Sequence, residues 1–221
     1  MTSLARRINL IIRENPYFFL PCLAYFALVA IALIIFPKGT LILWFGKHNS
    51  IAADYVFYFA TYIGDGAFAV AIALLLALFR KVRIGLMCFG IYALSGLTAQ
   101  GLKRLIDLPR PKGWFAAGSG LHFVEGVKIY SAHSFPSGHS VTAFALFLFL
   151  SVITKDKRWG AVFFLVAYIV GLSRVYLAQH FYSDVLAGSV LGFVFSLVAC
   201  AAFNPNADSA KMNKPLIKLR S

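Results

Sequence analysis

Long apolar runs dominate the chain, separated by short basic stretches or by segments rich in Gly, Pro and Ser. A helix that crosses a bilayer needs about 20 largely apolar residues, and that length is a ruler for the runs. It predicts six spans: roughly Tyr17 to Phe36, Ala53 to Phe79, Ile84 to Ile106, Ser137 to Ile153, Ala161 to Ala178 and Val185 to Phe203. The second is interrupted by Gly64-Asp65-Gly66, where a helix break is expected. The pattern reads as an all-α polytopic membrane protein, a single membrane-embedded domain over residues 1–221.

Ahead of the first run, Leu4, Ile8, Leu10 and Ile11 alternate with Arg6, Arg7 and Arg13. Residues 1–16 therefore read as a basic amphipathic helix lying on the membrane surface. No small-residue cleavage site follows the first run, so a cleavable signal peptide is not expected. Residues 107–136 are too rich in Pro, Gly and Ser to span and read as an extracytoplasmic loop, long enough to expect a function of it. Residues 204–221 read as a cytoplasmic tail.

Composition agrees with the pattern: 60% of the 221 residues are hydrophobic and 13% charged, with a mean hydropathy of +0.78. Those figures exclude an ordinary soluble enzyme, a disordered chain, collagen and a coiled coil. The three cysteines, Cys22, Cys88 and Cys200, lie inside apolar runs without disulfide or zinc spacing and read as small hydrophobes.

Charge adds orientation. The 21 Lys and Arg outnumber the 8 Asp and Glu, for a formal net charge of +13. An excess of this size can serve nucleic acid, but in so apolar a chain it marks cytoplasmic loops or an anionic ligand, and no nucleic-acid partner is expected. The clusters Arg6/Arg7/Arg13, Arg80/Lys81/Arg83, Lys155/Lys157/Arg158 and Lys211/Lys214/Lys218/Arg220 all fall on one side of a six-span arrangement. Both termini are then cytoplasmic. The exceptions are Lys103, Arg104, Arg110 and Lys112 at the outer end of the third run and Arg174 near the outer end of the fifth. Cations at a membrane boundary need partners, and with Asp107 the only acid near the first group, a bound anion is the economical partner.

Three polar constellations map to that outer end. Lys103 and Arg110-Pro111 offer a compact charge and a planar fork, suited to a phosphoryl group, although snorkelling at a span end accounts for Arg104 and Lys112. Pro136-Ser137-Gly138-His139 opens the fourth run: Ser137 is a good N-cap, Gly138 admits a ligand to the backbone, and free N–H groups make a helix start an anion site. The bland reading is a capped helix with an incidental histidine. Ser173-Arg174, His180 and Asp184 bridge the last two runs. A carboxylate four residues from an imidazole shares its face and fixes its tautomer, leaving the other nitrogen as nucleophile or base. A helix-entry hydrogen bond and a metal site with His139 as third ligand compete, the latter disfavoured by the neighbouring cations.

The ordered spacing Lys103-x6-Arg110-Pro111, Pro136-Ser137-Gly138-His139 and Ser173-Arg174-x5-His180-x3-Asp184 resembles the three-part signature of the type 2 phosphatidic acid phosphatase superfamily, which comprises membrane lipid phosphate phosphatases and soluble vanadium-dependent haloperoxidases. The resemblance implies that His180 attacks phosphorus and forms a phosphohistidine, that Asp184 orients it, and that His139 protonates the leaving group. It implies that Lys103, Arg110, Ser137, Gly138 and Arg174 bind the phosphoryl oxygens. It implies no metal and no cofactor.

The expected partner is a phosphorylated membrane lipid, with phosphatidylglycerol phosphate, phosphatidic acid, undecaprenyl diphosphate and lipid A phosphates all in reach. The expected setting is a bacterial-type inner membrane with the site on the extracytoplasmic face. An anion transporter using the same basic cluster is the alternative, opposed by the absence of repeat symmetry. Among weaker features, His133 reads as a solvated loop histidine, Asp65 as part of a helix break, and Trp114, Phe115, Phe123 and Tyr130 as an interfacial aromatic belt. Gly90, Ala93, Ser95 and Gly96 read as a helix-packing surface. Oligomeric state leaves no trace in the sequence.

Overall fold

A computed structural model describes residues 3–205 and residue 217. The described residues form ten helices and no strand: α1 (Leu4–Glu14), α2 (Pro16–Ile35), α3 (Thr40–Lys47), α4 (Ile51–Ile63), α5 (Gly66–Phe79), α6 (Val82–Ile106), α7 (Pro111–Trp114), α8 (Gly138–Ile153), α9 (Trp159–Tyr176) and α10 (Tyr182–Phe203). Most of the expected cytoplasmic tail, with Lys211, Lys214, Lys218 and Arg220, lies outside them.

Local signals set the boundaries. Ser3 caps α1 by accepting from the Arg6 amide, and α2 starts at Pro16, whose missing N–H is no loss at a helix start. Arg7 ties α1 to the far end of α10 by donating to the Ala201 and Ala202 carbonyls at 3.3 and 3.2 Å. The interruption at Gly64-Asp65 is a true break: α4 and α5 meet at 53°, and Asp65 caps α5 by accepting from the Ala67 amide at 2.8 Å. The short apolar stretch 41–45, left in a loop by the 20-residue ruler, lies within α3 and buries Ile42 beside Val175 at the C-terminal end of α9.

At the centre stands α8, almost every residue of which is buried from Ser140 to Ile153. Helices α6, α9 and α10 surround it. The approach to α10 is closest, because Gly188 and Gly192 have no side chain. A Cβ at Gly188 would lie 2.4 Å from the Ser137 carbonyl oxygen, and one at Gly192 would lie 2.2 Å from that of Val141. On the other side, Phe18, Phe19, Cys22 and Tyr25 of α2 fill the core, and Tyr25 stacks on Phe144 of α8 with ring centroids 5.7 Å apart.

Outward-facing positions such as Leu20, Leu28, Leu94 and Leu97 are apolar and exposed, which suits a lipid surround. By length and composition, α2, α6 with α7, α9 and α10 can each cross a membrane, and the bent pair α4–α5 is long and apolar enough to do so if it is taken as one span. The sixth expected span, α8, has 16 residues, and at 1.5 Å per residue it covers about 24 Å, less than the ~30 Å hydrocarbon core. A helix sheathed by its neighbours has no lipid to match. The small-residue surface of α6 packs only in part: Ser95 is fully buried, but a Cβ at Gly90 or Gly96 would meet nothing within 4 Å among the described residues.

Candidate active site

The site forms where the starts of α8 and α10 meet the ends of α6 and α9. The Ser137 amide donates to the Asp184 carbonyl at 2.9 Å, clamping the two helix starts together. Ser137 is fully buried, and its Oγ accepts from the Ser140 amide at 3.4 Å and the Ser140 hydroxyl at 2.9 Å. Neither bond consumes the hydroxyl hydrogen of Ser137, which remains a donor. A Cβ on Gly138 would meet nothing within 4 Å, so open space flanks this part of the backbone. His139 follows within the first turn, and a Cβ at Gly64 would lie 3.1 Å from its Cβ, which brings the α4–α5 break up to the site.

Three cations converge on the same place. Lys103, in the last turn of α6, is 8% exposed, and its Nζ donates to the His133 carbonyl at 3.0 Å. Arg110 donates from Nε to the Ala132 carbonyl at 2.9 Å and from Nη1 to the carbonyl and Oε1 of Gln179, both at 3.2 Å. Arg174, 7% exposed in the last turn of α9, donates from Nη1 to Thr61 Oγ1 at the end of α4, and its buried Nε has no partner. Asp107, the acid expected nearest, pairs instead with His133 at 2.8 Å on the surface.

His180 and Asp184 are each 2% exposed. Burial pushes the His180 imidazole down to about 3, with Arg110, Arg174 and Lys103 acting in the same direction against its interaction with Asp184. The ring is therefore neutral at physiological pH, as a nitrogen nucleophile must be. The pair stand close together, His180 Nδ1 3.6 Å from Asp184 Oδ2, longer than an ordinary hydrogen bond. Ser134 Oγ lies by both, 2.5 Å from Asp184 Oδ2 and 3.4 Å from His180 Nδ1. Among the described residues, no three His, Cys, Asp or Glu side chains gather as a metal site would require.

The fold thus brings all eight expected positions, Lys103, Arg110, Ser137, Gly138, His139, Arg174, His180 and Asp184, to adjoining parts of one end of the bundle. It adds Thr61, Ser134 and Gln179, which carry no periodicity or motif to mark them. It also adds detail to two lesser expectations. His133 is exposed as expected, yet its carbonyl holds Lys103. Trp114 and Phe115 pack on Phe181, with centroids 6.0 and 6.2 Å away, and Tyr130 lies under the Arg110 guanidinium at 5.2 Å, while Trp114, Phe123 and Tyr130 each keep an exposed face.

Residues 84–208, more than half of the chain, match the sequence model of the PAP2 superfamily. The chain belongs to the PAP2 superfamily. Among its PAP2 relatives, a Rhizobium johnstonii protein named lipid A 1-phosphatase is 35% identical over 120 residues, covering 54% of this chain and 48% of that one. Phosphatidylglycerophosphatase B of Bacillus subtilis is 31% identical over 147 residues, covering 61% and 67%. The chain spans about half the length of the first of these relatives. Two solved structures share the fold: Aquifex aeolicus LpxE, at a TM-score of 0.63 and 24% identity over 72% of this chain and 92% of that one, and a transmembrane PAP2-type phosphatidylglycerolphosphate phosphatase from Bacillus subtilis, at 0.59 and 23% over 86% and 98%.

Proposed function

We propose that the protein is an integral membrane lipid phosphate phosphatase that hydrolyses a phosphomonoester or diphosphate of an envelope lipid through a phosphohistidine. The observation that carries this reading is the convergence of Lys103, Arg110 and Arg174, from three distant stretches, on the two histidines. The buried, unpartnered Nε of Arg174 supports it, because such a donor costs free energy unless a ligand meets it. The partial use of the other two cations supports it as well. Lys103 commits one of three donors and Arg110 keeps the Nη2 pair, so each can hold an oxygen without leaving its carbonyl.

In the first step the Nε2 lone pair of His180 attacks phosphorus. An N–P bond forms as the P–O bond to the leaving group breaks, and His139 gives that oxygen its proton. In the second step water attacks phosphorus, His139 takes the proton, the N–P bond breaks and inorganic phosphate departs. Lys103, Arg110, Arg174, the Ser137 hydroxyl and the Gly138 backbone neutralise the equatorial oxygens, which is most of what phosphoryl transfer asks of a protein. The roles are filled by the chain's own side chains, and no cofactor enters the steps.

The same proposal places the chain in a bacterial-type inner membrane with six spans, α8 being the short sheathed one. Both termini and the basic loops after α5 and α8 are cytoplasmic and the site is extracytoplasmic. Phosphatidylglycerol phosphate, phosphatidic acid, undecaprenyl diphosphate and lipid A phosphate are the candidate substrates, with selectivity in the loop that α7 opens. The deciding experiment is phosphate release by the purified chain in detergent from these four lipids, with EDTA present and His180→Ala as control. Release that is lost in the variant is expected. Release that survives it at wild-type rate would overturn the role of His180, and no release from any of the four by folded protein would favour anion binding without hydrolysis.

A further inference from the structure

Residues 131–134 run through the site as a strap. The Ser131 carbonyl accepts from the Arg110 amide at 2.9 Å, the Ala132 carbonyl from Arg110 Nε at 2.9 Å, and the His133 carbonyl from Lys103 Nζ at 3.0 Å. Ser134 comes next, fully buried, its amide fixed on the Leu108 carbonyl at 2.8 Å. Its Oγ, 2.5 Å from Asp184 Oδ2 and 3.4 Å from His180 Nδ1, lies within hydrogen-bond reach of both, whereas those two atoms are 3.6 Å apart.

A serine hydroxyl has one hydrogen. The short contact to the carboxylate, which can only accept, takes that hydrogen. Towards His180 the Ser134 oxygen can therefore only accept, so Nδ1 must carry a proton. In a neutral imidazole Nε2 is then bare, the form a nucleophile requires. Asp184 has other tasks in the meantime: Oδ2 accepts from the Phe181 amide at 2.9 Å and Oδ1 from the Ser183 hydroxyl at 3.3 Å, both at the start of α10.

We infer that Asp184 acts on His180 through Ser134, a positioning residue that sets the tautomer of the nucleophile. The kinetic half of the inference rests on the phosphatase reading; the tautomer half does not.

Both halves are testable on the full-length protein. With 15N-labelled histidine, and the His180 signals identified by their loss in His180→Ala, the wild type should show a protonated Nδ1 and a bare Nε2. Ser134→Ala should show a mixed or reversed tautomer, and Ser134→Thr, which keeps the hydroxyl, the wild-type one. In phosphate release, Ser134→Ala should lower kcat about 10- to 100-fold, the usual cost of losing a group that orients a functional histidine, with KM little changed. Because the two residues act in series, adding Asp184→Asn to Ser134→Ala should cost no more than the worse single change. Should Ser134→Ala not fold, Ser134→Cys keeps the volume with a weaker donor and carries the same expectations. A wild-type tautomer and kcat in Ser134→Ala or Ser134→Cys, or kcat losses that multiply with Asp184→Asn, would overturn the inference. Failure of the wild type to release phosphate would refute the phosphatase reading and leave the tautomer measurement to decide this one.

Discussion

Gly188→Ala tests whether helix packing sets the geometry of the site. The added Cβ would lie 2.4 Å from the Ser137 carbonyl oxygen and 3.1 Å from Ser140 Cβ. Carbon and carbonyl oxygen settle at about 3.3–3.6 Å, so α8 and α10 must part by about 1 Å at the point where the Ser137 amide meets the Asp184 carbonyl. Overpacking of this kind costs about 1–3 kcal/mol, which a bundle of this size survives. Activity should suffer more, because the shift falls on the helix start that presents Ser137, Gly138 and His139, and a misplacement of about 1 Å in a reacting constellation costs on the order of 100-fold. The assay is kcat/KM for phosphate release beside the thermal unfolding midpoint in the same detergent. Gly96→Ala is the control: its Cβ meets nothing within 4 Å, and helix propensity favours it by up to about 1 kcal/mol. A folded Gly188→Ala protein with wild-type kcat/KM would refute the claim that this glycine holds the site in register.

Three further outcomes are expected. His139→Ala should slow turnover by about 100- to 10,000-fold on phosphomonoesters, whose alkoxide leaves poorly, and much less on a diphosphate; equal losses on both would remove it as the general acid. Arg174→Lys should lower kcat/KM by roughly 100-fold or more, since a point charge cannot reach both Thr61 and an anion as the guanidinium fork does; wild-type kinetics would show that the charge alone matters. For pH, His180 is held near 3 in the folded protein but titrates at about 6.5 when unfolded. Between those values the unfolded chain binds more protons, so stability rises with pH across that window and is lost as pH falls through it. The unfolding midpoint of the wild type should accordingly drop more between pH 7 and pH 5 than that of His180→Ala, and parallel curves would contradict the buried neutral imidazole.

Much of this architecture is legible in the sequence, for identifiable reasons. Apolar length is a strong signal, so α2, α6, α9 and α10 lie close to their expected limits, and Gly64-Asp65 breaks the helix as its residues dictate. Motif spacing was equally legible, since Lys103, Arg110, His139, Arg174, His180 and Asp184 each stand at a helix end whose depth the apolar runs already set. The strap was not legible. Its contribution at 131–133 is made by carbonyl oxygens, which every residue possesses, and that of Ser134 by a hydroxyl whose meaning depends on residue 184, fifty positions away. The pairing of His180 with Asp184 is legible from their spacing, and they lie 3.6 Å apart, but Ser134, which reaches both, comes from a loop that the spacing does not show.

The acids near the site clarify what its cations are for. Asp107 is taken by His133 at 2.8 Å, Asp54 by Tyr176 at 2.5 Å and His122 at 2.7 Å, Asp65 by the cap of α5, and Asp184 by Ser134 and the start of α10. None makes a salt bridge to Lys103, Arg110 or Arg174 among the described residues. Those cations are positioned by neutral acceptors instead, the carbonyls of Ala132, His133 and Gln179 and the hydroxyl of Thr61. The distinction has energetic weight. A buried carboxylate partner would cancel the positive field, and breaking such a pair to admit substrate would cost about 3–5 kcal/mol. A carbonyl fixes the direction of a donor without neutralising its charge. Carbonyl-held cations therefore keep both the geometry and the field in place before a phosphoryl group arrives, so little reorganisation is left for the moment of reaction.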